Sequence, residues 1–389
     1  MSSDVTTAMA HAAQRQHAAA RILVGDDQTE IQDALSLLLR GAGYDVHAAS
    51  SPAEILKCLD ENSYDLLLMD LNYRRDTTSG KEGLEVLRAI RSGKSSTPVV
   101  VMTAWGSIDI AVEAMHLGAR DFIQKPWENA HLLHLVEKHV DAARTENTTE
   151  LRRSRERQEA AEVQRRLLPS KMPIVPGIDL AGGYWPADEI AGDYFDVFQL
   201  GDSVAVCIAD VIGKGLPAAL LMSNLQAAVK VTASDTITPA ELCRRINHLC
   251  CGNNASGKFI SFFYGVLNPS DGSFRYCNAG HLPPIHVRGI DPSVLACDDA
   301  VLGLSPDWQF HNCSVGLAPG DRLLLYTDGL SEAADNDGNE FGEERIRAAL
   351  LDKSSAPGSQ ILDYIVARAN SHCGGQFADD VTCLLLSIH

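Results

Sequence analysis

Five short apolar runs alternate with amphipathic stretches over residues 21–140, and that alternation admits few folds. The runs are Arg21–Gly25, Asp45–Ala48, Asp65–Met69, Pro98–Thr103 and Asp121–Gln124. Between the first two, Ile31, Ala34, Leu35, Leu38 and Leu39 recur at helical spacing and stop at Gly41. Residues 83–90 and 107–117 share that amphipathic character. Strands that are apolar at nearly every position need cover on both faces, so the pattern predicts an α/β domain built on a parallel five-stranded sheet. The preceding residues, 1–20, lack the apolar stretch of a secretory signal and read as a mobile tail.

Beyond this domain the pattern changes twice. Leu132, Leu133, Leu135, Val136 and Val140 form an apolar stripe, and Arg, Glu and Gln then dominate from Arg144 to Arg166. This predicts a long helical linker over 141–170, with Asn147-Thr148-Thr149 as its break and Pro169 as its stop. Ala160, Val163, Leu167 and Leu168 offer a thin seam, so the segment is either a solvated spacer or one strand of a homodimeric coiled coil. Residues 171–389 read as α+β. Antiparallel strands are expected at Ser203–Ala209, Phe259–Val266, Ser273–Asn278, Arg322–Thr327 and Val381–Ile388, with a hairpin turn at Asp271-Gly272. Helices are expected at Leu216–Val231, Pro239–Cys250, Glu343–Leu351 and Ser359–Asn370.

A chain of 389 residues suits two domains. Its net charge of −18 argues against a nucleic-acid or anionic-membrane partner, and no apolar run is long enough to span a bilayer. The ten cysteines are scattered without a C-x-x-C pair, which predicts reduced thiols and a cytoplasmic protein.

The chemistry sits at the ends of the apolar runs. Asp26 and Asp27 follow the first, Asp70 the third, Thr103 ends the fourth and Lys125 follows the fifth. In an open parallel sheet, ligands bind beyond the carboxyl ends of the strands, so these groups converge on one mouth. Three carboxylates, a hydroxyl and an ammonium suit phosphoryl transfer to a carboxylate: Mg2+ offsets the repulsion and Lys125 neutralises phosphate oxygens. These positions, and the stretch Ala119-Arg120-Asp121-Phe122-Ile123-Gln124-Lys125-Pro126, resemble a response-regulator receiver domain of flavodoxin-like fold. The resemblance implies Asp70 as phosphoacceptor, one Mg2+ at Asp26, Asp27 and Asp70, Phe122 at the aromatic switch position, and an external histidine kinase. The loop from Asn72 to Gly83 departs from the family in being longer and lacking its common Met-Pro.

A second acid set lies in the other half. Asp193 stands in Ala191-Gly192-Asp193-Tyr194-Phe195-Asp196, and Asp210 leads into Val211-Ile212-Gly213-Lys214-Gly215. Asp328 follows Tyr326-Thr327 and precedes Gly329, and Asp379-Asp380 precede the final strand. Carboxylates at strand ends beside glycines describe a two-metal site that can acidify a water and clamp a phosphate. The segments 192–196, 209–215, 278–281, 326–329 and 379–382, with Leu167-Leu168-Pro169, resemble metal-dependent protein phosphatases of the PPM class. The bacterial branch in question is that of stage II sporulation protein E and the regulator-of-sigma-B phosphatases. The resemblance implies a PPM-type phosphatase β-sandwich flanked by helices, holding two Mg2+ or Mn2+. Asp210 would bridge them with the Val211 carbonyl as a further ligand. Asp328 and Asp379 would complete the second position, and Asp193 would act through bound water. Asp380 remains the alternative to Asp379. Ala191 replaces the commoner first glycine, and no histidine stands beside the bridging aspartate. Lys214 reads as solvated surface or a phosphate ligand, and His281 as a hydrogen-bonded structural residue. The Gly213–Gly215 turn lacks the features of a nucleotide P-loop.

The combined expectation is a two-component response regulator whose output removes phosphate from phosphoserine or phosphothreonine on a partner. By resemblance that partner is an anti-anti-sigma protein of the STAS type. Two other readings stand beside it: a pseudophosphatase adaptor that binds a partner without catalysis, and an unregulated phosphatase whose receiver scaffolds a dimer.

Overall fold

The computed structural model describes residues 19–73, 80–93, 95–103, 108–253, 257–353 and 356–389. The expected tail lies outside the described residues up to residue 18. The chain divides into two compact units at Arg153–Ser154.

In the first unit, β1 (Arg21–Gly25), β2 (Asp45–Ala49), β3 (Leu66–Asp70), β4 (Val99–Thr103) and β5 (Asp121–Gln124) form one parallel sheet in the order β2-β1-β3-β4-β5. The alternation of side chains splits its apolar residues between two cores. Leu23, Leu67, Met69, Val99 and Val101 pack toward α2 (Pro52–Glu61) and α3 (Lys81–Ser92). Ile22, Val24, Leu66, Leu68, Val100 and Met102 pack toward α1 (Thr29–Gly41) and the start of α5 (Asn129–Arg165). Each fully buried aliphatic side chain contributes about 1.5–3 kcal/mol, which is why near-continuous apolar strands are sustained here. The helix α2 was not anticipated. Ser51 starts it by accepting a bond from the Glu54 N–H at 3.3 Å, ahead of Pro52 in the first turn. The helix α4 (Ile108–His116) precedes β5. The loop read over Asn72–Gly83 gives way to α3 at Lys81, and its residues 74–79 lie outside the described residues.

One expectation for the linker fails, and another loses part of its support. The helix α5 runs from Asn129 to Arg165 without a break at Asn147-Thr148-Thr149. Thr145 and Thr148 donate their hydroxyls back to the carbonyls of Asp141 and Arg144, at 2.8 and 2.7 Å, so these residues bond within the helix. It ends ahead of Pro169, where Arg166, Leu167 and Leu168 donate to carbonyls three residues back and tighten the last turn. Ala160 and Leu168, assigned to a coiled-coil seam, pack instead into cores of their own unit.

The second unit holds two antiparallel sheets. One has the order β13-β10-β9-β8-β7, from β7 (Tyr194–Leu200), β8 (Ser203–Val211), β9 (Ile260–Leu267), β10 (Ser273–Ala279) and β13 (Cys313–Gly316). The other has the order β12-β11-β14-β15-β6, from β6 (Ile178–Trp185), β11 (Ile285–Arg288), β12 (Asp291–Val294), β14 (Arg322–Tyr326) and β15 (Val381–Ile388). Period-two alternation places the faces. Leu323, Leu325, Leu384 and Leu386 join the core shared with β8 and β9, together with α6 (Leu216–Thr232) and α7 (Pro239–Asn253). Leu324, Tyr326, Cys383 and Leu385 turn the other way, onto α9 (Gly342–Asp352) and α10 (Gly358–His372). The result is a β-sandwich with helices outside both sheets.

The expectation of ten reduced thiols is also corrected. Cys297 and Cys313 are joined in a disulfide with Cα atoms 6.2 Å apart. Pairing of β13 with β10 and the Asp299 N–H bond to the Asn278 carbonyl bring these two segments together, a proximity that sequence spacing does not reveal. Cys207, Cys243, Cys277 and Cys383 are free and buried, behaving as small apolar side chains.

Candidate functional site

The first site forms where β1 and β3 lie side by side and their connections leave in opposite directions. Asp26, Asp27 and Asp70 each bring one carboxylate oxygen within 4.8 Å of the other two. Lys125, following β5, donates to both Asp26 Oδ2 and Asp70 Oδ2 at 2.7 Å, and its backbone N–H is held by the Thr103 carbonyl at 2.7 Å. Burial pushes the Asp70 carboxyl above its usual range, and the Lys125 ammonium opposes that shift. Thr103 is buried at the end of β4. Phe122 is exposed on β5, in register with Val101. An all-carboxylate oxygen set of this size fits a hard divalent cation.

The second site is more open. Among the described residues, no three of its carboxylates converge as tightly as the first trio. They nevertheless face one another electrostatically. Burial, then the charges of Asp328, Asp379 and Asp380, push Asp210 up to about 7. Burial and Asp379 raise Asp328, and burial and Asp210 raise Asp193. Mutual repulsion of this kind is what a divalent cation among them would relieve, so the set fits one. Asp210 lies within β8, Asp328 opens the short helix α8 (Asp328–Ser331), and Asp379 precedes β15. Asp193 precedes β7 and is fully enclosed.

Several neighbours hold these acids; motif reading gave the glycines a close approach and gave Thr327 and Gln164 no role. Thr327 is buried; its hydroxyl donates to Asp193 Oδ2 at 2.8 Å and accepts from the Thr382 N–H at 2.9 Å, joining three segments. Gly329 explains itself by proximity, since a Cβ there would sit 2.1 Å from the Asp380 carbonyl oxygen. A Cβ on Gly192 would sit 3.0 Å from the Val211 carbonyl oxygen, so the Asp193 loop lies against that proposed backbone ligand. Gln164, near the end of α5, is buried and grips Ala191 twice: its Nε2 donates to the Ala191 carbonyl at 2.6 Å, and its Oε1 accepts the Ala191 N–H at 3.1 Å. A lone glutamine in a polar helix carries no sequence signal for this; the adjacent small residues Ala160 and Ala161 are the only hint.

The geometry separates Asp379 from Asp380. Asp380 is buried, and both its oxygens are used: Oδ1 by the Ala187 N–H at 2.9 Å and Oδ2 by the Gly192 N–H at 3.0 Å. Asp379 is half exposed, and its Oδ2 lies 3.1 Å from Lys214 Nζ, which also donates to the Ala378 carbonyl. His281 is buried between Ser261 Oγ, 2.9 Å from Nδ1, and the Tyr326 carbonyl, 3.1 Å from Nε2. Burial lowers its pKa to about 4, so it is a neutral structural residue. Asp196 has a structural part as well, accepting from the Tyr194 hydroxyl at 3.0 Å and pairing with Lys230 at 2.7 Å.

Comparison with known proteins matches the two units separately. Residues 22–137 match the response regulator receiver domain model, and residues 201–389 match that of stage II sporulation protein E. The phosphoserine phosphatase RsbU of Bacillus subtilis is 33% identical over 181 residues, covering 46% of this chain and 54% of that protein. Protein IcfG of Synechocystis is 29% identical over 261 residues, covering 59% of this chain and 41% of that one. The chain thus spans about half the length of the curated relatives it matches. A solved structure of RsbU and RsbW domains from Mycobacterium tuberculosis superposes with TM-score 0.52 and 27% identity, covering 57% of this chain and 63% of that one. The SiaA-PP2C domain of Pseudomonas aeruginosa, 21% identical, shares the fold with TM-score 0.55, covering 62% of this chain and 99% of that one.

Proposed function

We propose that this chain, a response regulator receiver domain joined to a PPM-type phosphatase domain of the stage II sporulation protein E family, is a phosphorylation-controlled protein phosphatase. The observation that carries the reading is the presence of two separate acid sites in one chain, each suited to a divalent cation that would neutralise a phosphoryl group. In this reading the receiver occupies residues 21–140, the linker 141–170 and the phosphatase 171–389. An external histidine kinase supplies the phosphoryl group to Asp70, and a divalent cation, Mg2+, sits with Asp26, Asp27 and Asp70. Lys125 already touches Asp26 and Asp70, and its ammonium is placed to pair with an incoming phosphate oxygen.

In the output domain, Asp210, Asp328 and Asp379 would hold two Mg2+ or Mn2+ with the Val211 carbonyl, while Asp193 orients bound water. The cations, when bound, supply a more acidic water and neutralisation of phosphate charge. The protein's own groups hold the carboxylates in place: Thr327 holds Asp193, and Asp380 holds the Asp193 loop through Gly192. The named activity of RsbU supports phosphoserine as the substrate class, and a STAS-type anti-anti-sigma protein is the partner this reading assigns. Among the described residues no helix is long and apolar enough to cross a membrane, in keeping with cytoplasmic action.

The test is phosphate release from a phosphorylated STAS protein, with and without a small acyl phosphate donor. Acyl phosphate is expected to label wild type at Asp70 and change its rate, whereas Asp70→Asn takes no label and shows no change. A rate indifferent to both would leave the receiver as a scaffold. In the adaptor alternative no cation enters and Lys214 keeps its pairing with Asp379. Calorimetric Mn2+ titration separates the two, since an adaptor binds none at this site. The same titration tests the two neighbouring acids. Asp379→Asn is expected to weaken Mn2+ binding at least about tenfold with little change in Tm. Asp380→Asn, which loses charge from two buried backbone bonds, is expected to cost about 1–3 kcal/mol of stability.

A further inference from the structure

Lys214 ties the two sheets of the second unit together across the acid site. It follows β8 in one sheet, yet its Nζ donates to the Ala378 carbonyl at 2.8 Å and lies 3.1 Å from Asp379 Oδ2, on the segment that leads into β15 in the other. The turn that carries it has a glycine on either side, Gly213 at φ 101° and Gly215 at φ 72°, both in the left-handed region that side chains rarely adopt. Lys214 also stands one residue ahead of the Gly215 N-cap of α6, where the helix dipole disfavours a positive charge. A solvated lysine gains nothing from that position, whereas one that answers a carboxylate across the site does.

Both oxygens of Asp379 are engaged. Oδ1 accepts the Asp380 N–H at 2.8 Å, and Oδ2 is the oxygen that Lys214 takes. The influence of the ammonium extends past this partner: burial raises the carboxyls of Asp328 and Asp380, and the Lys214 charge opposes the rise at each. A divalent cation among these acids would supply the same counter-charge at the same oxygen. The pair is also easy to exchange, since its side chains are 62% and 46% exposed and ion pairs open to water are weak.

We propose that Lys214 is a tethered counter-charge of the acid site, which holds Asp379 Oδ2 in the metal-free protein and competes for that oxygen with a divalent cation. This rests on the phosphatase reading, in which Asp379 is a metal ligand. Cation affinity is then set by Lys214 as well as by the carboxylates. Lys214 is a positioning residue that acts through Asp379, and the repulsion among the acids is partly offset before any cation arrives.

The experiment is a calorimetric titration of the full chain, carried to millimolar Mn2+, for wild type, Lys214→Gln, Asp379→Asn and the double variant. Circular dichroism follows the folding of each. Lys214→Gln is expected to tighten Mn2+ binding by about two- to fivefold, the scale of an exposed ion pair. Asp379→Asn is expected to weaken it. In that background Lys214→Gln is expected to bring no tightening, because the carboxylate that ammonium and Mn2+ contest is gone. Equal tightening in both backgrounds marks a long-range effect of charge and overturns the proposal. Weakened binding in Asp379→Asn beside unchanged or weaker binding in folded Lys214→Gln leaves the ligand assignment standing and overturns the proposal alone. If Asp379→Asn binds Mn2+ as wild type does, the ligand assignment falls and takes the proposal with it.

Discussion

Asp210→Asn is expected to reduce phosphate release from a phosphoserine substrate by at least about a thousandfold, the scale of removing a principal electrostatic group from an active site. The same substitution is expected to stabilise the metal-free protein. Asp210 is pushed up to about 7 by burial and by Asp328, Asp379 and Asp380, against an ordinary value of 3.8. The folded state therefore holds a proton that the unfolded state releases between those values. Stability from this group is present below about 4 and is lost as pH rises through about 7. Asparagine removes that loss, so with chelator present the variant melts higher than wild type at pH 8 and close to it at pH 4. Thermal melts at the two pH values check the sign. A variant that loses both activity and pH 8 stability would mean that Asp210 is held by favourable bonds, not strained by neighbouring charge.

Gln164→Leu is expected to lower activity by about ten- to a hundredfold at limiting Mn2+, with part of the loss recovered at high Mn2+. The side chain is buried and satisfies both the N–H and the carbonyl of Ala191, next to Gly192-Asp193. Leucine fills the space and leaves both backbone groups unpaired, at a cost of about 2–4 kcal/mol for the two together. That corresponds to a fall in Tm of roughly 4–16 °C for a unit of this size. The exposed neighbour Glu162→Ala is the control and is expected to change stability by less than about 0.5 kcal/mol. If Gln164→Leu lowers Tm but leaves the dependence on Mn2+ untouched, the contact is structural and does not position the acid loop. A shift in the Mn2+ dependence would make the end of α5 the point where a signal in the linker meets the phosphatase.

The legible parts of this protein are those governed by local pattern. β1, β5 and β15 begin and end at the predicted residues, because apolar runs bounded by turn residues define them. The convergence of Asp26, Asp27, Asp70 and Lys125 followed from strand order alone, since a parallel sheet brings the carboxyl ends of its strands to one edge. What escaped depends on contacts distant in sequence. The unbroken α5 is the local exception: the Thr145 and Thr148 hydroxyls fold back onto carbonyls one turn earlier, so neither residue forces a break. The Cys297–Cys313 bond requires β13 to lie beside β10. The separation of Asp379 from Asp380 requires the Ala187 and Gly192 amides, which only the closed fold delivers to one carboxylate.

Thr327 has a consequence for how this protein can vary. Its hydroxyl ties the β14 end of one sheet to Asp193 at the entrance to β7 in the other, while Asp210 comes from β8 in that other sheet. The carboxylates are therefore spaced by the slide of one sheet over the other. Changes of side-chain volume at Leu323, Leu325, Leu384 or Leu386, remote from any phosphate, alter that slide before they unfold the sandwich. Variation in this core is screened twice, once for folding and once for the gap it leaves between acids. A drifting population of such sequences would change the spacing of Asp193, Asp210 and Asp328 well before it lost its shape.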